Sequence, residues 1–380
     1  MGYVALINNH SFTTGTGRYA FDLYRAIAKI RPFFVDFYYQ IQEFLDANEV
    51  HKLLSLNPDA IGTEYSNIGI LKNVKNVAYL QKLYKQYKLL HFSEPPNFVL
   101  IAGWVGFFCD EKIIFTIHDL PDYFMYLKED KLREIKYLRA LWLFNRISSS
   151  DSWIISPTKY LANQLREKFN FRGKKIVVIP FGVDQELFKP RDKLATRHEL
   201  GLKDDAFIIL NISAPTPNKN VEGAIRIAHE VIKEERNVYF IRIGRLTPSQ
   251  IITASALRDK LIYIPSVPAS QIAKFYNAAD VLLLPSIKDG ASFTLWEAIS
   301  SCLPIVATDY GPVPEVVGNC GFTYNPFDIE KFVESIILLK NDKDLYREIQ
   351  NRELARRKEI SLQSEALNTL RLYACAIQSL

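Results

Sequence analysis

The stretch ADVLLLPSIKDGASFTLWEAISSCLPIVATD, Ala279–Asp309, constrains the fold more than any other part of the sequence. Val281–Pro285 is a short aliphatic run suited to a buried parallel strand. Ser286–Gly290 is a polar turn with Asp and Gly as its punctuation. Phe293–Ser301 has helical composition with Ser292 placed to cap it, and Pro304–Thr308 returns as a β-branched run. Strand, loop, helix and strand make one βαβ unit whose loop opens onto a helix N-terminus. The first-turn amides of Phe293 and Thr294 and the positive end of the helix dipole favour an anion there. Asp289 and Glu297 bracket the point. Carboxylates do not hold phosphate but accept hydrogen bonds from sugar hydroxyls, so a ligand carrying both phosphate and sugar suits the segment. The same residues fit a plainer account, in which Asp289 complements the dipole and Glu297 is a solvated helix residue.

A chain of 380 residues suits two domains, each burying its own core. Its apolar and charged fractions are those of a globular protein and exclude collagen-like or disordered classes. Cys109, Cys302, Cys320 and Cys375 lack metal-ligand or CxxC spacing, which points to a reducing, cytoplasmic setting without a disulfide framework. Met1 leads directly into YVALI, so no signal peptide is expected. The net charge is +5, and all of the excess lies in residues 1–190. Five lysines fall in Leu71–Leu90, interleaved with Leu, Tyr and Val. That segment suits either peripheral contact with an anionic membrane face or the solvated side of an ordinary helix. No nucleic-acid motif accompanies the charge.

Strand and helix patterns alternate along the chain. Tyr3–Ile7 reads as a strand, Thr13–Gly17 as a turn containing Gly15 and Gly17, and a helix follows with apolar Tyr19, Leu23, Ile27 and Ile30. A glycine loop between a first strand and a first helix lets backbone amides approach a ligand. Lys112–Ile117 is a strong strand ending in His118-Asp119, where His118 is either a strand-end partner of Asp119 or a group that meets a sugar hydroxyl or shuttles a proton. Ile179–Pro190 has linker composition, and a second α/β series begins at Phe207. In it Lys219 stands near a helix start, either solvated or meeting a phosphate, and Val238–Ile243 ends in Gly244-Arg245. Ile329–Leu380 is helical.

In their order, GTGRY, FTIHDL, VIPFGVDQELFKP, IPSVPASQIAKFYNAADVLLLPS, DGASFTLWEA and TDYGPVPEVVGNCGFTYNPFD resemble the motifs of glycosyltransferase family 4, whose members are retaining enzymes of the GT-B fold. The resemblance implies an α/β protein with two Rossmann-like domains facing a central cleft: an acceptor-side domain over 1–182, a donor-binding domain over 183–362, and a C-terminal helix over 363–380 that crosses back. It implies transfer of a mannose- or glucose-type hexose from a GDP- or UDP-linked donor to a glycan, lipid-linked or other hydroxyl acceptor, without a metal or other cofactor.

Carried onto this sequence, the resemblance gives Glu297 the ribose, Asp289 the donor sugar with the amides of Ala291, Ser292, Phe293 and Thr294, and Lys219 the diphosphate. Gly15 and Gly17 let the N-terminal loop approach, His118 contacts the sugar near the reacting carbon, and the backbone around Pro265–Val267, with Val267, lines the base pocket. The chain departs from the family in four ways. Asp289 replaces the usual Glu, and Ala291-Ser292-Phe293 replaces GFG. Cys302 takes the place of a helix-ending glycine and should disfavour a left-handed cap. Ala214 and Asn218 stand where an arginine normally meets the diphosphate, with Arg245 as a possible substitute. Two alternatives follow from the missing arginine and the fold: a non-catalytic GT-B subunit that binds nucleotide or a partner protein, and a GT-B epimerase, which the absence of a recognisable acidic catalytic set disfavours.

Overall fold

The computed structural model describes residues 3–8, 15–40, 61–63, 82–94, 111–120, 131–171 and 175–380. The chain divides into two compact units, Met1–Gly182 with Leu362–Leu380, and Val183–Ser361. Among the described residues, the first unit holds a parallel sheet of Val4–Asn8 (β1), Val35–Gln40 (β2), Ile61–Thr63 (β3), Leu89–Phe92 (β4), Ile113–Thr116 (β5), Trp153–Ser156 (β6) and Ile176–Val178 (β7). The order is β3-β2-β1-β4-β5-β6-β7, a doubly wound sheet whose direction reverses between β1 and β4. Its central strands are mostly aliphatic, as burial on both faces demands, and Val4, Ala5, Leu6, Leu89, Leu90, Ile113 and Ile114 are all fully buried; Asn8, His91, Thr116 and Ser156 are buried polar exceptions.

The helix Gly15–Ile30 starts earlier than the sequence suggests. Both Gly15 and Gly17 belong to its first turn, so the expected glycine loop over Thr13–Gly17 is corrected to a helix start; residues 9–14 lie outside the described residues. The last helix, Leu362–Ser379, belongs to this unit. Its buried stripe, Glu365, Ala366, Thr369, Leu372, Tyr373 and Ala376, keeps helical spacing. Of the lysine-rich Leu71–Leu90 segment, residues 71–81 lie outside the described residues. In the remainder Leu83, Tyr87, Leu89 and Leu90 are buried in the unit's own core while Lys82, Lys85 and Lys88 are exposed. Those apolar side chains are therefore already used, and the outward face carries the lysines and Gln86. No helix among the described residues is long and apolar enough to cross a membrane.

The second unit repeats the winding with Phe207–Ile212 (β8), Val238–Ile243 (β9), Leu261–Ile264 (β10), Val281–Leu284 (β11), Ile305–Thr308 (β12) and Gly321–Tyr324 (β13). The order is β10-β9-β8-β11-β12-β13, parallel throughout, with its reversal between β8 and β11. Helix Val221–Glu234 buries Val221, Ala224, Ile225, Ala228 and Val231 against this sheet, the spacing of one helical face. At the N-terminal edge of β11, Asp280 accepts from the Ile208 amide at 2.7 Å and pairs with Arg197 at 2.6 Å and Lys193 at 2.8 Å. This acid fastens the sheet at the edge where β11 begins.

The βαβ unit closes with an unexpected cap. Cys302 has φ 55, in the left-handed region, although it is not glycine. Its amide donates to the Ile299 carbonyl at 3.1 Å and the Leu303 amide to the Ala298 carbonyl at 3.0 Å, the bonding pattern of a Schellman motif. The left-handed conformation costs a residue with a Cβ about 1–2 kcal/mol. The two hydrogen bonds, together with burial of Cys302 and Leu303, hold it there. Burial also pushes the Cys302 thiol up to about 12, so it stays protonated at neutral pH.

Candidate donor-binding site

Ligands of doubly wound sheets sit beyond the carboxyl ends of the strands at the reversal point. In the second unit that point is flanked by two loops, one leaving β8 and one leaving β11. The first passes through Ser213–Thr216, makes a single 3-10 turn at Pro217–Lys219 and ends at Asn220, which has φ 48. Asn220 caps helix Val221–Glu234 through the Gly223 amide at 3.2 Å and donates to the Pro285 carbonyl at 2.9 Å. The Asn218 carbonyl accepts from the Ile287 amide at 2.8 Å, and its side-chain amide donates to the Lys288 carbonyl at 3.2 Å. The two loops are thereby stitched into one surface.

Lys219 and Asp289 meet on that surface. Lys219 Nζ lies 2.6 Å from Asp289 Oδ1, and Ser286 Oγ donates to Asp289 Oδ2 at 3.0 Å. Asp289 is only 7 % exposed. It is neither a solvated dipole partner nor solely a group waiting for sugar, because both oxygens already accept hydrogen bonds. Gly311, with φ +64, brings its backbone so close that an added Cβ would stand 3.1 Å from the Asp289 carbonyl oxygen. Ala291 is buried and Ser292, Phe293 and Thr294 are half-buried at the start of helix Phe293–Ser300. Ser292 occupies the cap position, yet its side chain makes no capping bond. The dipole end of this helix and the Lys219 ammonium thus face the same turn of chain, with Asp289 between them.

Glu297, one turn into that helix, is 5 % exposed, so the solvated reading is corrected. Tyr276, from helix Ala269–Ala278, donates its hydroxyl to Glu297 Oε2 at 2.6 Å. A bond to a charged acceptor of this kind contributes about 1.5–3 kcal/mol. Tyr276→Phe leaves Glu297 Oε2 without this donor. Val267 is half-buried in the connection between β10 and the same helix. Arg245, after β9, is exposed, and among the described residues its guanidinium has no partner. Its carbonyl, by contrast, accepts from Arg242.

In the first unit, His118 follows β5 and is half-buried. Its Nε2 lies 2.6 Å from the Ser93 carbonyl, which can only accept, so Nε2 carries the proton. The ring meets Tyr19 edge-on at 4.8 Å and lies 5.2 Å from the Phe181 ring. Beneath it, His91 bridges Thr116 at 2.8 Å and the Tyr373 hydroxyl at 2.6 Å, tying the final helix to the sheet. Burial, together with nearby His118, holds His91 down at about 3. Glu365 of that helix accepts from the Gly182 amide at 2.9 Å, and burial raises its carboxyl well above the ordinary range.

Sequence reading gave no role to Ser286, Tyr276, Asn220 and Ser93, and took Asn218 only as the place of a missing arginine. Ser, Asn and Tyr are common enough that only their bonds single them out; the PS preceding the polar turn and the Tyr within KFYNAAD were the available signals. Among the described residues no group of three or more His, Cys, Asp or Glu side chains is placed to hold a metal ion.

Two family models match the chain. Residues 13–187 match that for Glycosyltransferase Family 4, and residues 192–356 match that for Glycosyl transferases group 1. A D-inositol 3-phosphate glycosyltransferase of Segniliparus rotundus is 29% identical over 181 residues, which is 46% of this chain and 40% of that protein. An O-antigen chain mannosyltransferase B of Escherichia coli is 23% identical over 388 aligned residues, covering 95% of this chain and 96% of that one. The chain spans about half the length of the first curated relatives it matches. Among solved structures, sucrose-phosphate synthase of Thermosynechococcus elongatus superposes with a TM-score of 0.79 at 17% identity over 100% of both chains. Anabaena Alr3699/HepE, solved with UDP and glucose, gives 0.76 at 17% identity over 98% of this chain and 100% of that one. With two doubly wound units and both family models in sequence along it, the chain belongs to the family 4 type of glycosyltransferases and has their GT-B fold.

Proposed function

We propose that this protein is a retaining, metal-independent hexosyltransferase that moves a mannose- or glucose-type residue from a GDP- or UDP-linked donor to a hydroxyl acceptor. The observation that carries the reading is the pairing of Lys219 with Asp289 beside a helix N-terminus at the sheet's reversal point, with Glu297 held by Tyr276 one turn further on. Lys219 and the helix end offer positive charge to a diphosphate, Asp289 offers acceptor oxygens to the sugar, and Glu297 offers them to the ribose. In the transfer, the bond from the anomeric carbon to the diphosphate oxygen breaks and its electron pair leaves with the diphosphate. The acceptor oxygen bonds to the same face of that carbon, and the acceptor's proton passes to the departing phosphate oxygen. Fixed cations and the helix dipole stabilise the charge that develops there.

Relatives named as mannosyltransferases and neighbours solved with UDP or UDP-glucose support testing GDP-mannose and UDP-glucose first. Incubating the protein with each donor and assaying for release of GDP or UDP tests the reading. Turnover or slow hydrolysis of one donor is expected, and inertness toward both, with no calorimetric binding of either diphosphate, sinks it. The role of His118 rests on the family resemblance. His118→Ala is expected to lower transfer about 10²–10⁴-fold while leaving nucleoside diphosphate binding unchanged.

The exposed lysines of residues 82–90 support peripheral contact with acidic lipid, which suits a lipid-linked acceptor. Sedimentation with anionic vesicles is expected at low salt and lost at high salt. Absence of binding at low salt removes the membrane assignment.

A further inference from the structure

Arg242, at the C-terminal end of β9, is 0 % exposed and is the largest fully buried side chain among the described residues. Its guanidinium donates to the Ser213 carbonyl at 2.7 Å, to the Arg245 carbonyl at 3.3 Å and to the neighbouring Ile243 carbonyl. Its Nε–H is buried without a partner. Among the described residues no carboxylate lies within ion-pair distance of it. Burial pushes the group down to about 10, which leaves it cationic at neutral pH.

A buried charge without a counter-charge is costly, and proteins seldom keep one that has no use. The same sheet shows the ordinary solution at its other edge, where Arg197, also buried, pairs with Asp280. The arginine at the N-terminal edge is neutralised and the one at the ligand-binding edge is not. The position of Arg242 gives the reason. Its backbone pairs in register with Asn211 of β8, whose amide donates to the Leu283 carbonyl of β11 at 2.7 Å. Arg242 and Asn211 thus form a polar pair across β9 and β8, and Asn211 ties that pair to the β11 backbone across the reversal point. Ser213, held by the guanidinium, begins the loop that carries Lys219. Gly244, with φ +116, presses the chain onto this group: an added Cβ would stand 2.2 Å from the Ser213 carbonyl oxygen and 3.1 Å from the guanidinium nitrogens.

We propose that Arg242 is an anion-site residue, supplying positive charge from beneath the Ser213–Lys219 loop to the diphosphate of the donor while holding that loop's backbone in place. This rests on the donor site proposed above. It also accounts for a site that has Ala214 and Asn218 where arginine is usual and leaves Arg245 exposed. The charge arrives from the neighbouring strand instead of from the loop itself.

Calorimetry with UDP, GDP, uridine and guanosine tests the assignment on the full chain. Arg242→Gln, which removes the charge but keeps hydrogen-bond donors, is expected to weaken diphosphate binding about tenfold and leave nucleoside binding unchanged. Arg242→Lys is expected to keep most of the diphosphate affinity, and adding Ala214→Arg to the Gln variant is expected to restore it. Equal diphosphate binding by wild type and the Gln variant overturns the assignment, as does equal loss of nucleoside and diphosphate, which marks a structural pin only. If the Gln variant fails to fold, the Lys variant decides: it must still bind diphosphate more tightly than nucleoside, and equal affinities overturn the proposal. A wild-type protein that binds neither UDP nor GDP overturns the donor-site reading as well.

Discussion

Lys219→Ala is expected to lower kcat/KM about 10–150-fold, the loss of one charge-assisted contact worth about 1.5–3 kcal/mol. Two effects act together. The proposed diphosphate site loses a cation, and Asp289, 7 % exposed, loses the ammonium 2.6 Å from its Oδ1 and keeps the Ser286 hydroxyl. Asp289→Ala is expected to cost more, about 10²–10³-fold, if the carboxylate meets the sugar where charge develops. The double variant should be far less impaired than the product of the two single losses, because each residue positions the other. Steady-state rates for the four proteins decide the matter. Strict multiplicativity would show that the observed ion pair has no part in catalysis, and unchanged rates in Asp289→Ala would remove this carboxylate from the site.

Glu353→Met is expected to stabilise the second unit at neutral pH by about 1–3 kcal/mol. Glu353, on helix Lys343–Arg357, is 0 % exposed and both of its carboxylate oxygens lack a partner. Burial raises its carboxyl well above the ordinary range. A group with a raised folded-state pKa contributes its stability below the unfolded value, about 4.3, and loses it as pH rises through the folded one. The gain from Glu353→Met is therefore small near pH 4 and grows toward neutrality. His91 works in the opposite sense: with its folded value at about 3, its stability is present above the unfolded value, about 6.5, and is lost as pH falls between the two. Amide exchange in Lys343–Arg357, followed from pH 5 to 8, isolates the second unit without assuming that a two-unit chain unfolds in one step. A variant less protected than wild type at neutral pH would show that the acid has an unrecognised use.

The aliphatic runs that the sequence marks as strands are strands in the structure, shifted by a residue or two at their ends. Lys112–Ile117 becomes β5 at Ile113–Thr116, and Pro304–Thr308 becomes β12 at Ile305–Thr308. Such runs are legible because a parallel strand buried on both faces admits little besides aliphatic and aromatic residues. The start of the first helix was less legible. Glycine suits a loop and a first helical turn alike, so Gly15 and Gly17 did not reveal which they form. Cys302 shows the limit of local preference: its type argues against a left-handed cap, yet two backbone hydrogen bonds and a buried side chain impose one.

By itself the sequence determined the two α/β halves and their family, since apolar periodicity and motif order are written along the chain. Tertiary structure alone decided what each polar residue does. Asp280 and Asp289 precede and follow the same short strand, and nothing local separates them, but one clamps Arg197 at the sheet's N-terminal edge and the other meets Lys219 at its C-terminal edge. Arg242 reads only as an odd residue in a strand until register sets it beside Asn211 and under Ser213. A charge acquires its role from the groups around it and the water excluded with them, and those neighbours are remote in sequence.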